Sequence, residues 1–160
     1  APFVTYDPAY QSIPYPNGDV APDRGVCADV VVRALRAVGH DLQQLVHEDM
    51  KANFPLYPKK WDLRAPDPNI DHRRVPNLMT FFERFGQSLA TEENIETYLP
   101  GDIVTWELSS GRPHIGIVVD GFGTNGWPLV VHNIGGGQEK ANVLFNWKIT
   151  GHYRYINSIE

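Results

Sequence analysis

The chain of 160 residues carries one cysteine, Cys27, in the stretch "DRGVCADVVVRAL" at positions 23 to 35, where a glycine gives way to an apolar run of helical period. A thiol in the first turn of a helix sits among unpaired backbone N–H groups at the positive end of the helix dipole, and both favour the thiolate. On that reading its pKa falls below the usual ~8.5, and further beside an imidazolium. The other reading is a small buried hydrophobe, common for this residue type.

A nucleophilic thiol needs a base, and the base needs a partner that orients it. Of the six histidines, His114 opens the apolar run "HIGIVVD", and His132 ends "PLVVH" with Asn133 beside it. Adjacent antiparallel strands can bring such positions within bonding reach, so His132 or Asn133 can serve the imidazole of His114. His40, His47 and His152 read as surface or packing residues. His72 is intermediate, inside "NIDHRRVPN", where Arg73 and Arg74 can clamp carboxylates of a ligand or fold the loop by ion pairs. Here the arginines are read as ligand-binding and Asp71 as structural. Asp102 in "PGD" is read as turn chemistry, and Asp29 as a first-turn acid that complements the helix dipole. The run "GGG" at 135 to 137 lacks the context of a phosphate loop and reads as a flexible loop beside the cleft.

These residues need elements to position them. Residues 1–22 hold five of the 13 prolines and predict an extended strap pinned by Tyr6, Tyr10 and Tyr15. A helix is expected from Gly25 to Val38, with Val26, Val30, Ala34 and Val38 on its core stripe and Gly39 as its stop. Asp41 caps a second helix that runs to Pro55. Residues 54–75 contain Pro55, Pro58, Pro66 and Pro68 and show no clear period. A structureless segment above ~12 to 15 residues is functional or disordered, and Trp61, Leu63 and Ile70 favour order and so function. A third helix starts at Pro76 and ends at Gly86. After residue 100, "DIVTWEL" and "HIGIVVD" predict a hairpin, "PLVVHNI" and "GHYRYI" two further strands, and "NVLFNWKI" another. Helices first and an antiparallel sheet last give an α+β fold in one domain over residues 1–160.

Composition narrows the function classes. The net charge of -5, from 14 Lys plus Arg against 19 Asp plus Glu without basic clusters, argues against nucleic acid as a partner. No apolar run approaches the ~18 to 20 residues of a transmembrane helix. A single thiol excludes an internal disulfide and a zinc site of several thiolates; no cofactor is expected, although Cys27, His114 and His132 together would suit zinc. The start "APF" fits a leader removed after export as well as a trimmed chain.

The run from "GVCADVVVRAL" through "PGDIVTWEL" and "HIGIVVD" to "VVHNIGGG" resembles the NlpC-like and CHAP-like papain-fold cell-wall hydrolases. "HEDM", "PDPNIDHRRVPNLMTFF", "PGDIVTW" and "GHYRY" resemble more closely a bacterial family of unknown function placed in that group. The resemblance implies a papain-like (NlpC-like) fold and a cysteine peptidase or amidase that cuts an amide bond of peptidoglycan. It implies Cys27 as nucleophile, His114 as base and His132 as orienting residue. Val26 stands where many NlpC-like enzymes carry Asp or Ser before the nucleophile. On this reading Arg73 and Arg74 recognise an acidic stem peptide, Trp61 or Trp127 walls the cleft, and Asn133 lies among the binding residues. It further implies a periplasmic or secreted protein whose partner is peptidoglycan or a muropeptide, and an inhibitor or immunity protein if it is a toxin. A papain-like module that only binds wall fragments or a protein partner is the alternative.

Overall fold

The computed structural model describes residues 4–62 and 64–156. Three helices come first: α1 (Cys27–Arg36), α2 (Leu42–Asn53) and α3 (Val75–Phe85). A six-stranded antiparallel sheet follows, in the order β3 (Gln87–Ser88), β8 (Lys148–Arg154), β4 (Ile103–Glu107), β5 (Pro113–Phe122), β6 (Pro128–Ile134) and β7 (Gly137–Ala141). The helices pack on one face of this sheet, α1 across β5 and β6 and α3 across β5 and β8.

Local signals explain most boundaries. Asp41 accepts the N–H of Gln43 at 3.1 Å and starts α2, and Gly39 takes a positive φ of 94° that lets the chain leave α1. Pro76 sits in the first turn of α3, where its missing N–H costs nothing. The core stripe of α1 departs from the expected one. Val30 is buried and Val26 packs partly buried against the core as expected, but Ala28, Val31, Val32 and Leu35 are buried as well, whereas Val38 is 58% exposed. The run of valines supplies apolar groups on more than one side, and the face that meets the sheet is the one spaced by three and four residues from Ala28.

Two cores result. Ala28, Val31, Leu35, Leu42, Leu78, Phe82, Ile103 and Ile115 fill the space between helices and sheet. The other face is covered by the segments around Tyr98 and Leu144, which close over Val104, Trp106, Val118 and Val130.

In the N-terminal strap no helix forms among the described residues. Thr5–Tyr6 (β1) instead pairs in parallel with Arg24–Gly25 (β2), just before α1. Tyr10 donates to Asp67 at 2.9 Å, and Tyr15 meets His47 edge-on at 5.0 Å, so the strap is tied to the long segment and to α2. That long segment forms short 3-10 turns at Phe54–Leu56 and Asp71–Arg73; Leu63 lies outside the described residues. One strand expectation and one loop expectation are corrected. Asn142 to Trp147 forms no strand, because its apolar side chains cap the second core, and β8 begins at Lys148. The glycine run is no loose loop: Gly137, at φ 104°, opens β7 after a tight turn from β6. No helix of the described residues is long and apolar enough to cross a membrane.

Candidate active site

The first turn of α1 is fixed by Asp29. Its carboxylate accepts the backbone N–H of Val26 at 2.7 Å, while its own N–H donates to the Val26 carbonyl at 3.1 Å. Val26 has no side-chain acceptor, so the acid at the third helical position does the capping. The same carboxylate receives three hydrogen bonds from the Arg73 guanidinium, at 2.9, 3.0 and 3.2 Å, with both side chains almost fully buried. This corrects the expectation that Arg73 binds a ligand, since its charge is already paired inside the protein. Arg74 lies over the Trp61 ring at 4.3 Å and keeps a buried nitrogen without a hydrogen-bond partner. The structure therefore joins Arg74 and Trp61 and withdraws Arg73. Asp71, buried, accepts the backbone N–H of Asp67 and folds the loop.

On the sheet, His114 and His132 are brought together. His114 Nε2 and His132 Nδ1 lie 2.9 Å apart, and both residues are buried. Trp106 packs against His114 at 5.4 Å, and Trp147 against both rings at 5.6 and 5.9 Å. On its other side His132 Nε2 is 3.5 Å from Glu139 Oε1 on β7, a neighbour that sequence reasoning missed. The register places Glu139 opposite His132, a relation invisible until β7 is known.

Cys27 reaches β5 from the helix face. It is half-buried and packs against the core that contains Ile115, the residue after His114. The β5–β6 ladder begins only at Gly116 and His132, so His114 and Ile115 stand beyond its paired part. There Asn133 donates to the Gly25 carbonyl at 3.1 Å and ties the entry of α1 to β6. Asn133 thus anchors the chain before the thiol and does not bond the His114 ring. Strand alternation turns the two imidazoles toward the Trp106 face, whereas Cys27 lies with Ile115 on the helix face of β5.

Electrostatics alter one expectation. Burial pushes the Cys27 thiol up to about 11, and the nearby Asp29 carboxylate adds to this; the N–H groups of Ile115, Ala28 and Cys27 itself pull the other way without winning. The expected low thiol pKa is therefore overturned for the resting protein, because desolvation outweighs the helix dipole. Burial also lowers His114 to about 4, helped by His132, and lowers His132. Both groups are neutral at rest.

Trp127 lies at the hairpin end of β6 and packs edge-on against Phe145 at 5.2 Å. Five residues along a strand put it roughly 16 Å from His132, too far to wall the same cleft. Among the described residues no group of three or more His, Cys, Asp or Glu is arranged to hold a metal ion, so Cys27, His114 and His132 are not gathered into such a centre. His152, expected in a surface or packing role, is buried in a structural network: Nε2 is 2.6 Å from Asp102, which also binds Arg154 at 2.8 and 2.9 Å, and the ring stacks on Tyr98 at 4.1 Å. Asp102 accepts the N–H of Leu99 as well, in keeping with its turn reading.

The chain belongs to the family described as domain of unknown function DUF1287, whose model matches residues 1–155. It is 59% identical over 151 residues to the uncharacterized protein YijF of Escherichia coli K12, covering 94% of this chain and 74% of that protein.

Proposed function

We propose that the protein is a cysteine hydrolase of papain-like fold that cleaves an amide bond of bacterial peptidoglycan, acting outside the cytoplasmic membrane. Cys27 is the nucleophile, His114 the base and His132 the residue that orients it. The observation that carries this reading is the 2.9 Å bond between the two imidazoles at the strand end against which α1 sets the only thiol. The motif resemblance supplies the substrate class.

The chemistry starts from neutral partners. A base at His114 Nδ1 requires the proton on Nε2, which then donates to His132 Nδ1; His132 in turn carries its proton on Nε2, toward Glu139. Ionising either the thiol or the ring alone is costly here; the reading requires Sγ and Nδ1 to meet around the end of β5 that β6 leaves unpaired, where moving the proton between them creates both charges together, each the other's counter-ion. Sulfur adds to the carbonyl carbon as His114 takes the thiol proton. His114 returns that proton to the nitrogen as the C–N bond breaks, leaving a thioester. Water, deprotonated by His114, then adds to the thioester, and the sulfur leaves with the proton. In this reading the backbone N–H of Cys27 stabilises the oxyanion, a contribution of about 3 to 4 kcal/mol for one such donor.

The test compares wild type with Cys27→Ala on isolated peptidoglycan, with muropeptides read by mass spectrometry. New products from the wild type alone support the reading; identical products from both overturn it. A second reading, a papain-like module that only binds wall fragments or a protein partner, draws on the raised thiol pKa. It predicts that both proteins bind sacculi and that neither releases products.

A further inference from the structure

The start of β5 borders a second feature. A pocket of about 240 Å³ opens between α3, the β4–β5 hairpin and the long segment, with Lys60, Pro76, Met79, Glu107, Gly111 and Pro113 among its walls. Pro113 precedes His114 and pairs with Glu107 across the ladder. Met79, like Cys27, packs on the core that contains Ile115. The pocket therefore lies at the same end of the sheet as the thiol and the imidazole pair. Pockets for whole small ligands run to roughly 300 to 1,000 Å³, so this one suits a single residue-sized group.

Its walls carry one charge of each sign. Lys60 and Glu107 are exposed, and neither takes part in an ion pair among the described residues. The neighbouring cations are already engaged, Arg73 with Asp29 and Arg74 over Trp61. A simple anion would meet the repulsion of Glu107, and a simple cation that of Lys60. A group with both charges on one carbon answers both, and the apolar surfaces of Pro76, Met79 and Pro113 suit an aliphatic stem.

We infer that this pocket is a subsite for a zwitterionic amino-acid head group, carboxylate toward Lys60 and ammonium toward Glu107, whose stem leads to the amide at Cys27. The direction of the stem rests on the proposed hydrolysis; binding of the head group does not. The probe is Nε-acetyl-lysine, which has a free zwitterion at one end and an amide at the other. It is titrated by NMR into Cys27→Ala protein, beside the Nα-acetylated and the carboxamide analogues, each of which lacks one charge.

The expected result is saturable binding of the zwitterion with shifts centred on Lys60, Met79 and Glu107. Each capped analogue should bind about twofold to fivefold more weakly, the range for one exposed charge contact. Lys60→Glu and Glu107→Lys should each weaken binding, and the double swap should restore it, since the head group can turn around. Equal affinity for all three probes, no saturation, or a double swap no better than the single ones would overturn the inference. Cleavage of peptidoglycan without probe binding would remove the subsite and leave the hydrolase. Probe binding without any cleavage would do the reverse.

Discussion

Arg73→Met is the most informative single substitution, because the two readings of Arg73 predict opposite outcomes. Arg73 supplies all three guanidinium hydrogen bonds to Asp29, and the two side chains are 4% and 2% exposed. Removing the cation leaves a buried carboxylate without its counter-ion beside the first turn of α1. Breaking a buried pair in this way costs about 3–5 kcal/mol, a large share of the ~5–15 kcal/mol that holds a protein folded. With a urea slope of about 2 kcal/mol/M, the unfolding midpoint should fall by about 2 M. The Asp29→Asn/Arg73→Met double variant removes both charges while Asn still caps Val26, and should recover to within about 2 kcal/mol of wild type. Equilibrium urea denaturation followed by tryptophan fluorescence reads both. A loss below about 1 kcal/mol in the single variant, within the range of an exposed ion pair, would refute the buried-pair argument and return Arg73 to the role of a ligand arm.

Three further outcomes follow from the same geometry. His114→Ala should lower peptidoglycan turnover by about 10²- to 10⁴-fold, the range for loss of a general base, and His132→Ala should cost less, with His132→Asn recovering part of it; muropeptide release measures all three. Iodoacetamide alkylation of resting Cys27 should keep rising with pH beyond 9, because burial pushes the thiol up to about 11; a plateau below pH 7 would instead reveal a preformed thiolate. Stability should decline on acidification below about pH 6.5. His114 and His72 stay neutral in the fold, both lowered to about 4 by burial, while the unfolded chain takes up protons from about 6.5, so each contributes a loss of roughly 3 kcal/mol by pH 4. Asp71, raised to about 6 by burial, acts the other way between about pH 6 and 4, since there the fold binds its proton more readily than the unfolded chain. Two imidazoles outweigh one carboxyl, and urea midpoints at pH 7 and pH 5 check the net sign.

Local chemistry made much of this architecture legible. Asp41, Gly39 and Pro76 mark helix ends through interactions within a turn or two, and the alternation in "HIGIVVD" and "PLVVHNI" is a property of single strands. What depends on distant partners was not legible. The core face of α1 is chosen by the sheet it meets, and valines on several sides hide that choice. Strand β7, with Gln138, Glu139 and Lys140, lacks an apolar alternation because its position at the sheet edge does not demand one. At the site, the meeting of His114 and His132 on neighbouring strands was legible from residue type and place, whereas the buried pairing of Arg73 was not, because its partner Asp29 is 44 residues away. For the thiol, the helix terminus and the buried setting pointed opposite ways in the sequence; the desolvation that decides between them comes from packing on β5.

The central claim is that the sulfur of Cys27 forms a covalent bond to the acyl group of the substrate. Intact-protein mass spectrometry after acid quench of a reaction with soluble muropeptides tests it directly. The account predicts a transient mass increase equal to the acyl fragment, located by digestion to the peptide containing Cys27 and absent from Cys27→Ala. Substrate cleavage that proceeds undiminished in Cys27→Ala, with no adduct in the wild type at any quench time, would contradict it.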